Sequence, residues 1–238
     1  MKHFDAIKYN LLDGIVKKNI PYGTTWQLRG DSGTGKSTFA FQFVMSGLRR
    51  GESAIYIACD APVDRLRNDF GAFGFATGEY EEAGKLKFVE SFESFDPGAA
   101  FIKDISDSQE FLFILSELIE EMEKPCRVVI DSVTAMAVNY SPQNLVALIH
   151  EKNRLLRRKD IVMLDLYVKG TLEETGMYGL ANAYDVCIDL YYPEEKGGVP
   201  QRNIRIHKIR SSNFDPRPFP FSIRMGQGLV VDKDFYGR

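Results

Sequence analysis

Eight consecutive residues, Gly30-Asp31-Ser32-Gly33-Thr34-Gly35-Lys36-Ser37, satisfy the spacing GxxxxGK[ST] in full. The order has a physical reason. Glycines let the backbone adopt conformations that other residues resist, so the N–H groups of the turn and of the following helix can converge on an anion. A lysine in this place adds a point charge at the β- and γ-phosphates of a nucleotide, and the hydroxyl after it can ligate Mg²⁺. The motif needs a strand before it and a helix after it. Thr24 to Arg29 (TTWQLR) reads as the strand, and Phe39, Phe43, Val44 and Leu48 recur at helical spacing from Lys36 to Arg50, with Gly51 as the stop. Residues 30–37 together with Thr38 are therefore expected to bind ATP with magnesium, Ser37 being a metal ligand. A loop of this kind reads phosphates and leaves the base open.

Beyond the loop, strand-like and helix-like segments alternate, which implies a mostly parallel sheet flanked by helices, an α/β fold. Ser53–Cys59, Leu86–Glu90, Arg127–Asp131, Ile161–Tyr167, Val186–Leu190 and Asn203–Ile209 read as strands, several of them continuous apolar runs suited to burial on both faces. Helices are expected at Pro62–Phe73, Ser108–Glu123 and Gln143–Arg158, and Glu93–Asp104, with its Asp96-Pro97-Gly98 signal, as a loop. Short strands around Phe221 and Val230 suggest a closing C-terminal antiparallel hairpin across Gly226–Gly228. With 238 residues and no repeat or linker, the chain fits one domain over 1–238.

Composition narrows the partners. A net charge of −3 provides no global field that draws the chain to nucleic acid or anionic membrane. No stretch approaches the roughly 20 apolar residues of a membrane span, and MKHFDAIKYN lacks a signal core. Cys59, Cys126 and Cys187 are odd in number and widely spaced, which suits buried apolar side chains in a reducing cytoplasm.

Asp131 ends an apolar strand about 95 residues after the loop, the place of a Walker-B aspartate that holds a magnesium-bound water. Asp60 follows SAIYIAC, expected at the C-terminal end of the strand next to the loop strand, with Asp64 one turn on. Two readings of Asp60 stand side by side, a carboxylate that orients water against the γ-phosphate and an N-cap for the helix opened by Pro62. Asp165, inside IVMLDLY, needs a buried partner at the site or a neighbouring loop. Glu79, Glu81 and Glu82 read as a solvated charge run, and Phe70, Phe73 and Phe75 as core. In RNIRIHKIR, Arg202–Arg210, strand alternation puts Arg205, His207 and Ile209 on one face and Ile204, Ile206, Lys208 and Arg210 on the other or at the end. An exposed edge strand with protective charges competes there with Lys208 or Arg210 reaching a neighbouring subunit's nucleotide.

Taken together, GDSGTGKSTFAFQF, GESAIYIACD, GKLKFVESF, RVVIDSVTAM and KIRSSNFDPRPFPFSI followed by Gly226-Gln227-Gly228 resemble single-domain KaiC-like ATPases of the RecA superfamily over nearly the whole chain. The resemblance implies a RecA-like P-loop core, a ring that is usually a homo-hexamer with ATP at subunit interfaces, Mg-ATP held by Lys36, Ser37 and Asp131, and Lys208 and Arg210 as a basic pair acting in trans. The sequence departs from the family at Asp60-Ala61, where two glutamates are usual, and at Lys18-Asn19, where a glycine pair is usual. The expectation is a weak ATPase, with Asp60 catalytic but one methylene short, whose nucleotide state controls ring assembly or a protein partner. The alternatives are a non-catalytic scaffold like the archaeal motility-motor protein FlaH, and a recombinase-like DNA-dependent ATPase. Nucleic acid is not favoured as a partner.

Overall fold

A computed structural model describes residues 10–13, 15–16, 20–91, 100–157, 160–172, 174–193, 201–210 and 212–236. The N-terminal decapeptide, Lys18-Asn19 and the Asp96-Pro97-Gly98 signal lie wholly or largely outside them.

The apolar runs become strands because each can bury both faces. β1 (Thr24–Gly30) leads through the glycine loop into α1 (Lys36–Leu48). β2 (Ser53–Ala58), buried along its whole length, is followed by α2 (Val63–Ala72), a short α3 (Gly78–Glu82) and β3 (Leu86–Glu90). A two-residue β4 (Ala100–Phe101) precedes α4 (Ser108–Glu121). Next come β5 (Cys126–Asp131), α5 (Val133–Ala137), α6 (Pro142–Leu156), β6 (Ile161–Val168) and α7 (Glu174–Ala183). β7 (Val186–Tyr191), β8 (Arg202–Ile209), β9 (Phe219–Arg224) and β10 (Gly228–Val231) complete one ten-stranded sheet, ordered β10-β9-β8-β7-β1-β6-β5-β2-β3-β4. From β7 across to β4 every pairing is parallel; β7 to β10 pair antiparallel, and β9–β10 form the expected hairpin.

Alternate strand residues feed two cores. Trp26, Leu28, Tyr56, Val129, Leu164 and Ile188 pack with α1 and α2 on one face, and Ile55, Ile57, Val128, Ile130, Met163 and Tyr167 with α4 and α6 on the other. The helices start where side chains satisfy their first N–H groups. Asp107 Oδ1 accepts from Gln109 N (2.9 Å) and Glu110 N (3.1 Å), and Ser141 Oγ accepts from Asn144 N (3.3 Å) with Pro142 in the first turn.

Several expectations change. α3, α5 and α7 are helices that periodicity did not reveal, and the stretch read as a loop contains β4, paired with β3. β8 is no edge strand, because it lies between β7 and β9. Its simple alternation also fails. The β7 register shifts between Cys187, opposite Lys208, and Ile188, opposite Ile206, so a bulge at His207 returns Ile209 to the core shared by Ile204 and Ile206. Asp165 pairs with Lys152 and accepts from the Tyr184 hydroxyl, all fully buried. Phe70 and Phe75 are core and Phe73 packs against it half-buried; the three cysteines are free. Glu81 of the acidic run pairs with Arg67 at 2.9 Å.

One buried ion pair anchors α1. Arg127 Nε donates to Glu52 Oε2 (2.6 Å), and its Nη1 to the Phe43 carbonyl and Ser46 Oγ (both 2.8 Å), with the guanidinium 4.7 Å from the Phe43 ring centre. Gly47 makes room, because a Cβ there would stand 2.3 Å from Arg127 Nε. Burial pushes the Glu52 carboxyl up, but the hydrogen bonds and charge of Arg127 outweigh it and hold it below the usual range. Arg127→Met leaves that buried carboxylate with Arg50, whose Nε donates to Glu52 Oε1 at 3.0 Å, as its remaining cationic partner, and is expected to lower the unfolding free energy by about 3 kcal/mol, the low end for a broken buried pair, read by urea denaturation at pH 7. Glu52→Gln added to it should recover part of the loss. Because the folded pKa of Glu52 is depressed, the pair's stabilisation is present above the unfolded value of about 4.3 and disappears as pH falls through the folded one.

Candidate nucleotide-binding site

The loop between β1 and α1 sits at the C-terminal edge of the parallel strands, where open α/β sheets bind ligands. Geometry requires glycine at Gly30 and at Gly35. At Gly30 a Cβ would lie 2.5 Å from the Leu190 carbonyl oxygen, and Gly35 holds φ at 104°, where a side chain is strained and would also meet Ile223 Cδ1 at 2.7 Å. The loop is tied to itself. Lys36 Nζ donates to the carbonyls of Gly30 (3.0 Å) and Asp31 (2.9 Å), and the Thr34 hydroxyl donates to Asp31 O (2.8 Å). Burial lowers the Lys36 pKa, while the charges of Asp131, Asp31 and Asp60 work against that shift.

A cavity of about 350 Å³ opens beside the loop. Ser32, Gly33, Gly35, Lys36, Ser37 and Thr38 line it together with Asp60, Asp131 and Ser132, and Val168 and Ile223 complete the lining. Of the remaining loop residues, Gly30 and Asp31 anchor Lys36 through their carbonyls, and Thr34 is buried. Asp131 ends β5 with its Oδ2 accepting from the Tyr56 hydroxyl at 2.6 Å, and the Ser37 hydroxyl bonds the same carboxyl group. Burial raises the Asp131 pKa, opposed by those two hydrogen bonds.

Asp60 reaches the cavity by a route other than the expected one. β2 is not next to β1; β6 and β5 stand between them. β2 pairs with β5, with Ala58 opposite Asp131, so the residue two beyond Ala58 arrives beside Ser132, whose Oγ donates to Asp60 Oδ2 at 3.0 Å. Asp60 does not cap α2. Pro62 holds the N-cap position without a side-chain bond, and the Val63 N–H donates to Glu90 Oε1 at 2.7 Å. Asp64 is exposed and pairs with Arg67. Glu90, Tyr56, Val168 and Ile223 carried no local signal; pairing of distant strands brings them in.

Lys208 and Arg210 do not line this cavity. Lys208 Nζ donates to Ala181 O (2.9 Å), and Arg210 Nη2 donates to Asn182 O (2.8 Å) beside Asp185. Among the described residues, no group of three or more His, Cys, Asp or Glu side chains could hold a metal by itself. The Ser37 hydroxyl and the Asp131 carboxylate are hard oxygen donors that suit a magnesium ion completing its shell with phosphate oxygens and water.

A sequence model of the family described as "ATPase: KaiC" matches residues 7–235. The chain belongs to the KaiC-like ATPase family. A UPF0273 protein of Pyrococcus horikoshii is 29% identical, with 94% of this chain and 91% of that protein covered. One from Pyrobaculum aerophilum is 33% identical, covering 94% and 81%. The crystal structure of a KaiC-like protein from Pyrococcus horikoshii superposes with a TM-score of 0.79 at 25% identity, over 95% of this chain and 98% of that one. The fold is accordingly a RecA-like ATPase core, and family membership implies nucleotide binding. Among the described residues no helix is long and apolar enough to cross a membrane.

Glu90→Ala removes the acceptor at the start of α2 and is expected to cost about 0.5–2 kcal/mol, with faster amide hydrogen exchange at Val63 as the local sign.

Proposed function

We propose that this KaiC-like chain binds Mg-ATP in the cavity and hydrolyses it slowly, its nucleotide state controlling ring assembly or a protein partner. The observation that carries the reading is the meeting, in one cavity, of the phosphate-binding loop with Asp131 and Asp60. The loop and α1 N–H groups and Lys36 hold the phosphates. Magnesium, when bound between Ser37, Asp131 and the phosphates, neutralises charge that develops there. Asp60 orients the attacking water, and the Ser132 hydroxyl fixes the direction of its carboxylate. An aspartate reaches one methylene less far than a glutamate, and a misplaced water slows turnover steeply. The described residues share one sheet, which supports a single domain over 1–238. In a ring, Lys208 and Arg210 serve a neighbouring subunit, since neither faces its own cavity.

A non-catalytic scaffold is the second reading, favoured by the hold of Ser132 on Asp60 Oδ2. Phosphate release from Mg-ATP separates the two. Lys36→Ala is expected to abolish ATP binding and turnover, and Asp60→Asn to abolish turnover with ATP still bound. Bound ATP with no release above the Lys36→Ala background establishes the scaffold instead.

Trans action has its own test. Asp60→Asn and Arg210→Ala subunits, each inactive alone, should regain part of the activity when mixed. If mixing restores nothing, Arg210 does not act across an interface.

A further inference from the structure

We propose that Tyr56 is a positioning residue that holds the Asp131 carboxylate in the orientation needed to receive magnesium; this rests on the Mg-ATP reading above. β2 and β5 are paired with Tyr56 opposite Val129 and Ala58 opposite Asp131, and Tyr56 and Asp131 lie on the sheet face that packs against α1. The phenol therefore reaches diagonally across two strands and donates to Asp131 Oδ2 at 2.6 Å. That bond engages Oδ2 of a carboxyl group that lines the cavity.

The ring itself cannot swing. Tyr56 is fully buried, edge-on to Phe70 (5.7 Å between centres, 77°) and within 5.8 Å of Phe41 and 6.0 Å of Phe88. Phe41 belongs to α1, the helix that starts at Lys36 and Ser37, so one aromatic cluster links the hydroxyl that aims Asp131 to the helix that carries the loop. The Ser37 hydroxyl also bonds Asp131, but it is itself a magnesium ligand in the proposed site and turns to the ion when one binds. The Tyr56 hydroxyl is then the side-chain donor that stays on the carboxylate. Partners of this kind orient metal ligands, and their loss typically costs 10- to 100-fold in metal affinity. A role confined to packing would be met equally well by phenylalanine, which fills the same space.

The test is Tyr56→Phe in the full chain, with a fluorescent ATP analogue titrated in EDTA and then over a range of free Mg²⁺. The expected result is unchanged affinity without metal and a half-saturating Mg²⁺ concentration raised about 10-fold or more. The electron paramagnetic resonance spectrum of Mn²⁺ in the ATP complex should change in parallel. Phe70→Leu loosens the aromatic cluster but keeps the hydroxyl; it should lower the melting temperature and leave the Mg²⁺ half-point in place. A Tyr56→Phe protein with the unaltered Mg²⁺ half-point, one that loses metal-free and metal-dependent binding equally, or a Phe70→Leu protein whose half-point moves as far overturns the inference alone. Nucleotide binding by the unaltered chain that ignores Mg²⁺ altogether overturns the Mg-ATP reading and this inference with it.

Discussion

The buried contact between Arg127 and Glu52 fixes the distance between the two halves of the site. Arg127, Val129 and Asp131 share a face of β5 by strand alternation, and that face looks toward α1. Arg127 grips the C-terminal half of α1 through Phe43 and Ser46, while Asp131, four residues on, meets Ser37 in its first turn. One strand thus holds one helix at both ends. A charge pair in the interior is costly to form and more costly to break, which suits it to fixing a register between elements that carry opposite walls of a cavity.

The acidic wall follows a second rule, that each carboxylate on it is held by a hydroxyl. Tyr56 and Ser37 bond Asp131, and Ser132 bonds Asp60. Two negative groups close to each other and withdrawn from water repel, and Lys36 between the loop carbonyls is the nearby positive charge that offsets them. Neutral hydroxyls orient the carboxylates without cancelling their charge. The wall stays attractive to a cation while its geometry is fixed in advance, the condition under which electrostatic stabilisation is most effective.

The loop was fully legible because its chemistry is local, with every feature inside eight residues and the flanking periods on either side. The strands were legible because a segment buried on both faces must be apolar throughout. What stayed hidden depended on pairing between distant segments. The place of β2 beside β5 is decided by crossover connections, and so Asp60 lies beside Ser132 and not at the loop strand. The cap of α2 comes from Glu90, 27 residues beyond Val63. The bulge at His207 is a property of the β7–β8 ladder, and it alone decides which side chains of RNIRIHKIR face the core. Glu174–Ala183, with two glycines and no clear apolar stripe, is helical because it packs on α6, a tertiary decision that overrides propensity.

The C-terminal hairpin adds a constraint in time. Gln42 of α1 clasps the Leu229 backbone from both sides, accepting its N–H at 3.0 Å and donating to its carbonyl at 3.2 Å, across 187 residues of chain. Ile223 of the same hairpin packs on Gly35 and lines the cavity. The loop is thus synthesised well before the wall that closes over it. β1, in the middle of the sheet, meanwhile has both flanks open until β6 and β7 are made. Contacts of such sequence separation slow folding and leave apolar strands exposed during synthesis. A nascent chain on the ribosome holds every residue of the glycine loop long before it holds a nucleotide site.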